Sequence, residues 1–403
     1  MTKRLRSDRR LLSGAVVLLI VALGGGAFLL GSGFWRSPAA VAAVEPPPPT
    51  AAPSNVPTAH TTPTASASPY ASSSPSPSPT PGVYEDLSGI PTTAELAHRY
   101  PIAVMIDDSP AARQQAGLSA ASMVWQAPAE GGIPRYMAIF QSGTPPRIGP
   151  VRSARLYFVR WAAEWKAVYL HAGGPPPLRA FLAGRQTLVL DVPGRATRRL
   201  AFRAAPHNLY TEGVRLRHFV ERAKRATSAR LAYNPTEPGR LQAFRDALPE
   251  ADRGPDRSTI RVTYTSEVVS YRYDRVSNTW LRSVDGRDQH DALATANRGN
   301  GAIGSGARIA PTTVVLMVVP IRRSKTIEGP ALGRLEADSL GTNAAWVFAD
   351  GRVTKGSWHK RTPTDRTRFL DAAGHEIAFP RGQIFIQVVP KALATAFSVE
   401  ASR

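Results

Sequence analysis

Cysteine is absent from the 403 residues, which excludes disulfides, thiolate nucleophiles and cysteine-ligated zinc from the outset. Metal-ligand spacings of the HExxH kind are also missing, and no internal repeat is evident. Acidic side chains are scarce, 30 against 50 basic ones, for a net charge of +20. The first ten residues, MTKRLRSDRR, hold +4 of that excess, so the chain beyond residue 45 still carries +16. A field of this sign favours nucleic acid, anionic lipid or acidic glycan as partner, and says nothing about fold. Lysine is rare as well, with 7 residues against 43 arginines. That bias fits either a GC-rich codon supply or the use of guanidinium forks to grip anions. With 43% hydrophobic and 20% charged residues, the composition is that of a globular protein with room for two domains.

Charge is missing altogether from residues 11–35, LLSGAVVLLIVALGGGAFLLGSGFW. As a helix this run would be about 37 Å long, enough to cross a hydrocarbon core of about 30 Å. Basic residues 1–10 then stay cytoplasmic and the rest of the chain lies outside. The expectation is a single-pass protein of the cell membrane with its globular part extracytoplasmic. A cleaved signal peptide ending at Ala40-Val41-Ala42 is the rival, although the apolar run exceeds the usual core of about 7 to 15 residues. Either way the chain is exported. Residues 36–82 are Pro, Ser, Thr and Ala in tandem, a composition that cannot bury a core and predicts a disordered, extended linker, on the order of 140 Å long at about 3.1 Å per residue.

From residue 83 to 233 the pattern alternates and predicts an α/β domain. Ile102 to Ile106, Ser122 to Ala127, Tyr136 to Gln141 and Ala167 to His171 read as strands; Ser153 to Trp165, capped by Ser153, and Thr211 to Thr227 read as helices. Residues 234–258 form a polar connector. Residues 259–403 predict a mostly β domain: Arg261 to Tyr264, Val268 to Tyr273, Thr279 to Ser283, Val314 to Pro320 and Gly382 to Pro390 are strands, and Asp350-Gly351 is a two-residue hairpin turn.

The stretch RIGPVRSARLYFVRWA, residues 147–162, raises a question of charge. Arg152 and Arg155 sit where a helix begins, a place already positive, so each needs a negative partner. Asp107 ends a strand, Glu130 opens an EGG turn, Arg135 follows, His171 ends another strand, and His207-Asn208 lies in a polar loop. Ligands of open α/β sheets gather at the carboxyl ends of strands, where Asp107 and His171 fall. Three readings stand side by side. Asp107 and Glu130 pair internally with the arginines; or Arg152, Arg155 and the helix start hold an external phosphate or carboxylate; or Asp107, Glu130, His171 and His207 contribute to a metal site. The candidate ligand-binding set is therefore Asp107, Glu130, Arg135, Arg152, Arg155, His171, His207 and Asn208. For His207, a structural hydrogen bond competes with a role as general base. No cofactor, catalytic residue or oligomeric state is assigned.

The blocks IAVMIDD (102–108), EGGIPRYMAIFQ (130–141), IGPVRSAR (148–155), VYLHAGG (168–174) and APHNLYT (205–211), followed by YRYDRVSNTWLR (271–282) and DGRVTKGSWHK (350–360), resemble the YerB-like lipoprotein family in their order. The resemblance implies a membrane-tethered, extracytoplasmic bacterial protein of unsettled activity, with a domain of unknown function followed by its own C-terminal domain. Relatives resemble lipoproteins held by a lipidated cysteine, which this chain lacks; the run at 11–35 would take over the anchoring. The order of elements is also similar to the LytR, CpsA, Psr family, which moves glycopolymers from a polyprenyl pyrophosphate carrier to peptidoglycan. That similarity would place Arg152 and Arg155 on a pyrophosphate and Asp107 on Mg²⁺, though that family's Arg-Ser-Asp-Thr and Pro-Arg-Asp blocks are absent here. The expected function is thus an envelope protein binding an anionic, phosphate- or pyrophosphate-bearing ligand such as a cell-wall polymer or lipid-linked phosphate. The alternatives are a scaffold recruiting protein partners through the β domain and a transferase acting on lipid-linked glycopolymers. Export and the lack of a recognition motif argue against nucleic acid.

Overall fold

All six residues of β1 (Ile102–Asp107) are buried, which requires cover on both faces of its sheet. The computed structural model of the chain describes residues 82–176, 178, 182, 190–193, 196–227, 242–292, 305–324, 334–393 and 397–400. The expected anchor at 11–35 and the linker through residue 81 lie outside the described residues. Among the described residues no helix is long and apolar enough to cross a membrane.

The described chain is mostly strand with few helices. β1, β2 (Met123–Pro128), β3 (Pro134–Phe140), β4 (Val168–His171) and β5 (Leu190–Pro193) enter one large sheet. Next, β6 (Thr259–Thr263), β7 (Val268–Asp274), β8 (Thr279–Val284) and β9 (Arg287–Asp288) build a smaller antiparallel sheet. The chain then returns to the large sheet through β10 (Thr313–Val319), β11 (Gly341–Ala349), β12 (Arg352–Lys360), β13 (Arg368–Asp371) and β14 (Ile384–Pro390), and β15 (Phe397–Glu400) closes the small one. The large sheet has ten strands in the order β13-β12-β11-β10-β14-β2-β3-β1-β4-β5.

Its middle decides the architecture. β14 pairs in parallel with β10 on one side and with β2 on the other. Both neighbours are apolar runs with unpaired backbone edges that must be covered, and IFIQVVP fills the space between them. The two segments expected as separate domains, 83–233 and 259–403, therefore share one sheet within a single compact unit. Part of the 234–258 connector is docked too: Phe244 and Arg245 pair with Phe379 and Pro380, and the Gly254 N–H donates to the Asp350 carbonyl at 2.8 Å.

The faces of the large sheet follow the period of two. Ala103, Met105, Met123, Trp125, Met137 and Ile139 point to one side, where helix α1 (Leu156–Ala163) supplies Tyr157, Phe158 and Trp161. The Trp125 and Trp161 rings stack at 4.7 Å, an arrangement worth about 0.5–1.5 kcal/mol beyond the area it buries. Ile102, Val104, Ile106, Val124 and Ala138 point to the other side, onto Ile260, Val262, Val269 and Tyr271 of the small sheet. Helix α2 (Gly213–Thr227) adds Leu216 and Val220 to that second core. The turn between β11 and β12 is the one the sequence predicts, Asp350 and Gly351 having φ of 51° and 67°, as a type I′ hairpin requires.

Candidate functional site

The site is organised by an extended segment, residues 148–154, that threads between three others. Asp107 donates its N–H to Pro150 and Met105 accepts from Arg152, which ties the segment to β1. Ala172 donates to the Arg152 carbonyl, and Ala154 donates to Gly173, which ties it to the end of β4. On the other side Val151 donates to Leu209, while Ile148 and Thr211 exchange a bond pair, which brings the 205–211 loop alongside. Because residues 152–154 are committed to these extended contacts, the helix starts later than the sequence predicts, at Leu156 with Arg155 as N-cap. The expected cap, Ser153, instead donates its hydroxyl to the Ala172 carbonyl at 2.9 Å.

The negative partners of Arg152 and Arg155 are carboxylates of the chain itself. Arg152 Nε lies 2.7 Å from Asp107 Oδ2. His207 Nδ1 lies 2.7 Å from the same oxygen, and the Ser109 N–H donates to Oδ1 at 3.0 Å. Asp107 is buried, whereas Arg152 and His207 remain 24% and 22% exposed. The carboxylate fixes Nδ1 as the protonated ring nitrogen, so Nε2 of His207 and both Nη of Arg152 are left without a partner among the described residues. Ser109 Oγ, 3.1 Å away, also meets Nδ1 rather than Nε2, so His207 is not placed to activate it as a nucleophile.

Arg155 and Arg135 converge on Glu130. Arg155 donates from both Nε and Nη2 to its two oxygens, and Arg135 donates from Nη2 at 3.0 Å and from Nη1 to the Ser153 carbonyl. Burial pushes the Glu130 carboxyl up, but the Arg155 bond and charge and the Arg135 charge outweigh it and hold the group below its ordinary value. Arg135 is lowered by burial and then by the Arg155 charge. Two guanidiniums thus share one carboxylate beside the start of α1.

The remaining candidates, His171 and Asn208, are held by other partners. His171 is buried against Tyr169 and its Nδ1 meets the Gly173 carbonyl at 2.6 Å. Asn208 accepts from Arg199 at 2.6 Å. The metal reading does not fit: among the described residues no three His, Asp or Glu side chains converge, and Asp107, the residue assigned to Mg²⁺ by similarity, faces a guanidinium and an imidazole N–H instead.

A second polar cluster, between the two sheets, is not among the sequence candidates. Gln126 Nε2 donates to both Asp108 Oδ2 and, at 2.7 Å, Glu267 Oε1. Fully buried Arg282 donates to Gln126 at 2.6 Å, to the Tyr271 hydroxyl at 3.1 Å and to Gln289, while Arg113 covers Glu267 from outside. Burial, and next the Glu267 charge, raise Asp108 well above its ordinary value; burial also raises Glu267. One signal was legible: in TWLRSV, Arg282 shares the inward parity of Trp280 and Val284.

Helix on mixed sheet on antiparallel sheet, with a buried carboxylate holding an arginine and a histidine, makes this an α+β protein that is mostly strand. The chain matches the N-terminal domain described as "Protein of unknown function (DUF3048)" over residues 87–227 and the C-terminal domain of the same description over 260–386, and it belongs to that family. It is 34% identical over 315 residues to "Putative lipoprotein YerB" of Bacillus subtilis (strain 168), covering 77% of this chain and 88% of that protein. The crystal structure of the YerB protein from Bacillus subtilis superposes with a TM-score of 0.63 at 26% identity, over 79% of this chain and 99% of that one.

Proposed function

We propose that this chain is a membrane-anchored, extracytoplasmic envelope protein that binds a phosphate- or pyrophosphate-bearing ligand at the Asp107–Arg152–His207 cluster. The carrying observation is that Arg152 and His207 are fixed on one buried carboxylate oxygen and leave two Nη groups and one ring nitrogen unsatisfied at partly exposed positions. A guanidinium fork beside a histidine suits a tetrahedral oxyanion. The uncharged run at 11–35 and the lipoprotein description of the Bacillus relative support the placement at a membrane.

The test is calorimetric titration of the full-length chain with pyrophosphate and with inorganic phosphate at low ionic strength. Arg152→Lys keeps a cation opposite Asp107 but removes the fork, and His207→Ala removes the ring. Each should weaken binding at least about tenfold, or about 1.4 kcal/mol. Equal affinity in wild type and Arg152→Lys would end this reading.

A further inference from the structure

Helix α1 leaves only Leu156 and Arg160 unburied, four residues apart on one stripe. Opposite that stripe stand two short paired strands, Ile321–Arg323 and Leu335–Ala337. Between them lies a cleft of about 630 Å³, within the range of about 300–1,000 Å³ common for small-molecule sites. Its walls carry both characters, with Leu156, Tyr157 and Leu335 beside Arg160 and Arg334.

The charges of the cleft do not close on themselves. Its lining holds four guanidinium groups, Arg155, Arg160, Arg322 and Arg334, against two carboxylates, Glu336 and Asp338, an excess of two positive charges. Both carboxylates already face Arg322, and Arg155 is held by Glu130. Arg160 has the spacing for a helical ion pair with Glu164. Glu164, however, turns inward, where Lys360 Nζ and the Thr367 N–H and hydroxyl occupy its oxygens. No described residue pairs with Arg160, and the Nε of Arg334 is buried without an acceptor. A buried donor left unmet is destabilising, a cost that a bound anion would remove.

We infer that this cleft is a second ligand site, taking an anionic amphiphile of the alkyl phosphate class, with the phosphate on Arg160 and Arg334 and the chain along Leu156, Tyr157 and Leu335. Arg152 does not line it, so the site stands apart from the Asp107 cluster.

The test uses the full-length chain in a neutral glycoside detergent with dodecyl phosphate bearing a chain-terminal diazirine. A dodecyl glycoside with the same diazirine serves as the neutral control. After irradiation, label should map to the peptides holding residues 156–163 and 334–337. It should fall at least tenfold in Arg160→Gln/Arg334→Gln and be unchanged in Arg152→Lys, whose loss of pyrophosphate binding reports on the other site alone. Because the two arginines have no acceptors to lose, the double variant should melt no lower than wild type. Equal labelling by the glycoside, unchanged labelling in the double variant, or a lowered melting temperature in it would overturn the assignment.

Discussion

Lys360 Nζ lies 3.0 Å from Glu164 Oε1, with both side chains almost wholly out of solvent at 0% and 1% exposure. The pair joins the end of α1 to the end of β12 across 196 residues and ties the first part of the chain to the last. Breaking one side of such a pair strands the other charge. Lys360→Met is therefore expected to cost about 3–5 kcal/mol in urea unfolding, and adding Glu164→Gln should recover a good part of it. A loss below about 1 kcal/mol in the single variant would mean that the pair is not held in the folded state.

The shared ten-stranded sheet predicts cooperative behaviour. Since β14 lies between β2 and β10, the regions matched by the two family domains cannot melt independently without exposing sheet edges. Calorimetry of the full-length chain should show one transition, with calorimetric and van't Hoff enthalpies in agreement. Two resolved transitions would show that the sheet splits.

Docking of the connector can be probed at one glycine. A Cβ on Gly254 would fall 1.9 Å from the Gly351 carbonyl oxygen, so Gly254→Ala must displace the connector from the β11–β12 turn, at about 1–3 kcal/mol or more. Gly174→Ala, whose Cβ would meet only ordinary contacts at 3.6–3.8 Å, should stay within about 0.5 kcal/mol. Equal melting temperatures for the two variants would contradict the docked connector.

The inter-sheet carboxyls predict a pH dependence with a definite sign. Asp108 and Glu267 hold protons in the fold at pH values where the unfolded chain releases them. Their contribution is complete below the ordinary carboxyl range and is lost as pH rises through the raised folded values. Arg113, Arg282, Tyr136 and Gln126 face the same pair and stay in place. Asp108→Asn should flatten the fall in urea midpoint as pH rises above the ordinary carboxyl range. Glu130 works in the opposite sense: its lowered value makes stability fall as pH drops below the ordinary range. A profile unchanged by Asp108→Asn would rule out the shared proton economy of this cluster.

Read along the chain, period-two patterning places most of the strands to within a few residues, and the Asp350-Gly351 turn is legible because only particular residues accept two successive positive φ values. The helix start is misplaced, at Ser153 rather than Leu156, since a capping preference is local and the extended path of 152–154 is imposed by β1 and β4. The members of the Asp107 and Glu130 clusters are visible as polar side chains near strand and helix ends or, for His207, in a loop. Which of them meet is not visible, because Asp107 finds Arg152 45 residues away and His207 100 residues away.

The sequence by itself determined the strand parities, the hairpin and the family, because each depends on neighbouring residues or on the order of blocks along the chain. Tertiary structure alone decided that two expected domains are one sheet, that Arg155 is neutralised by Glu130 while Arg152 keeps free donors, and that a charged pair and an arginine are sealed between layers. The physical reason is that alternation tells which face a side chain takes, whereas its partner is set by strand order. Here that order is governed by β14, a strand near the end of the chain, entering beside β2, one of the first.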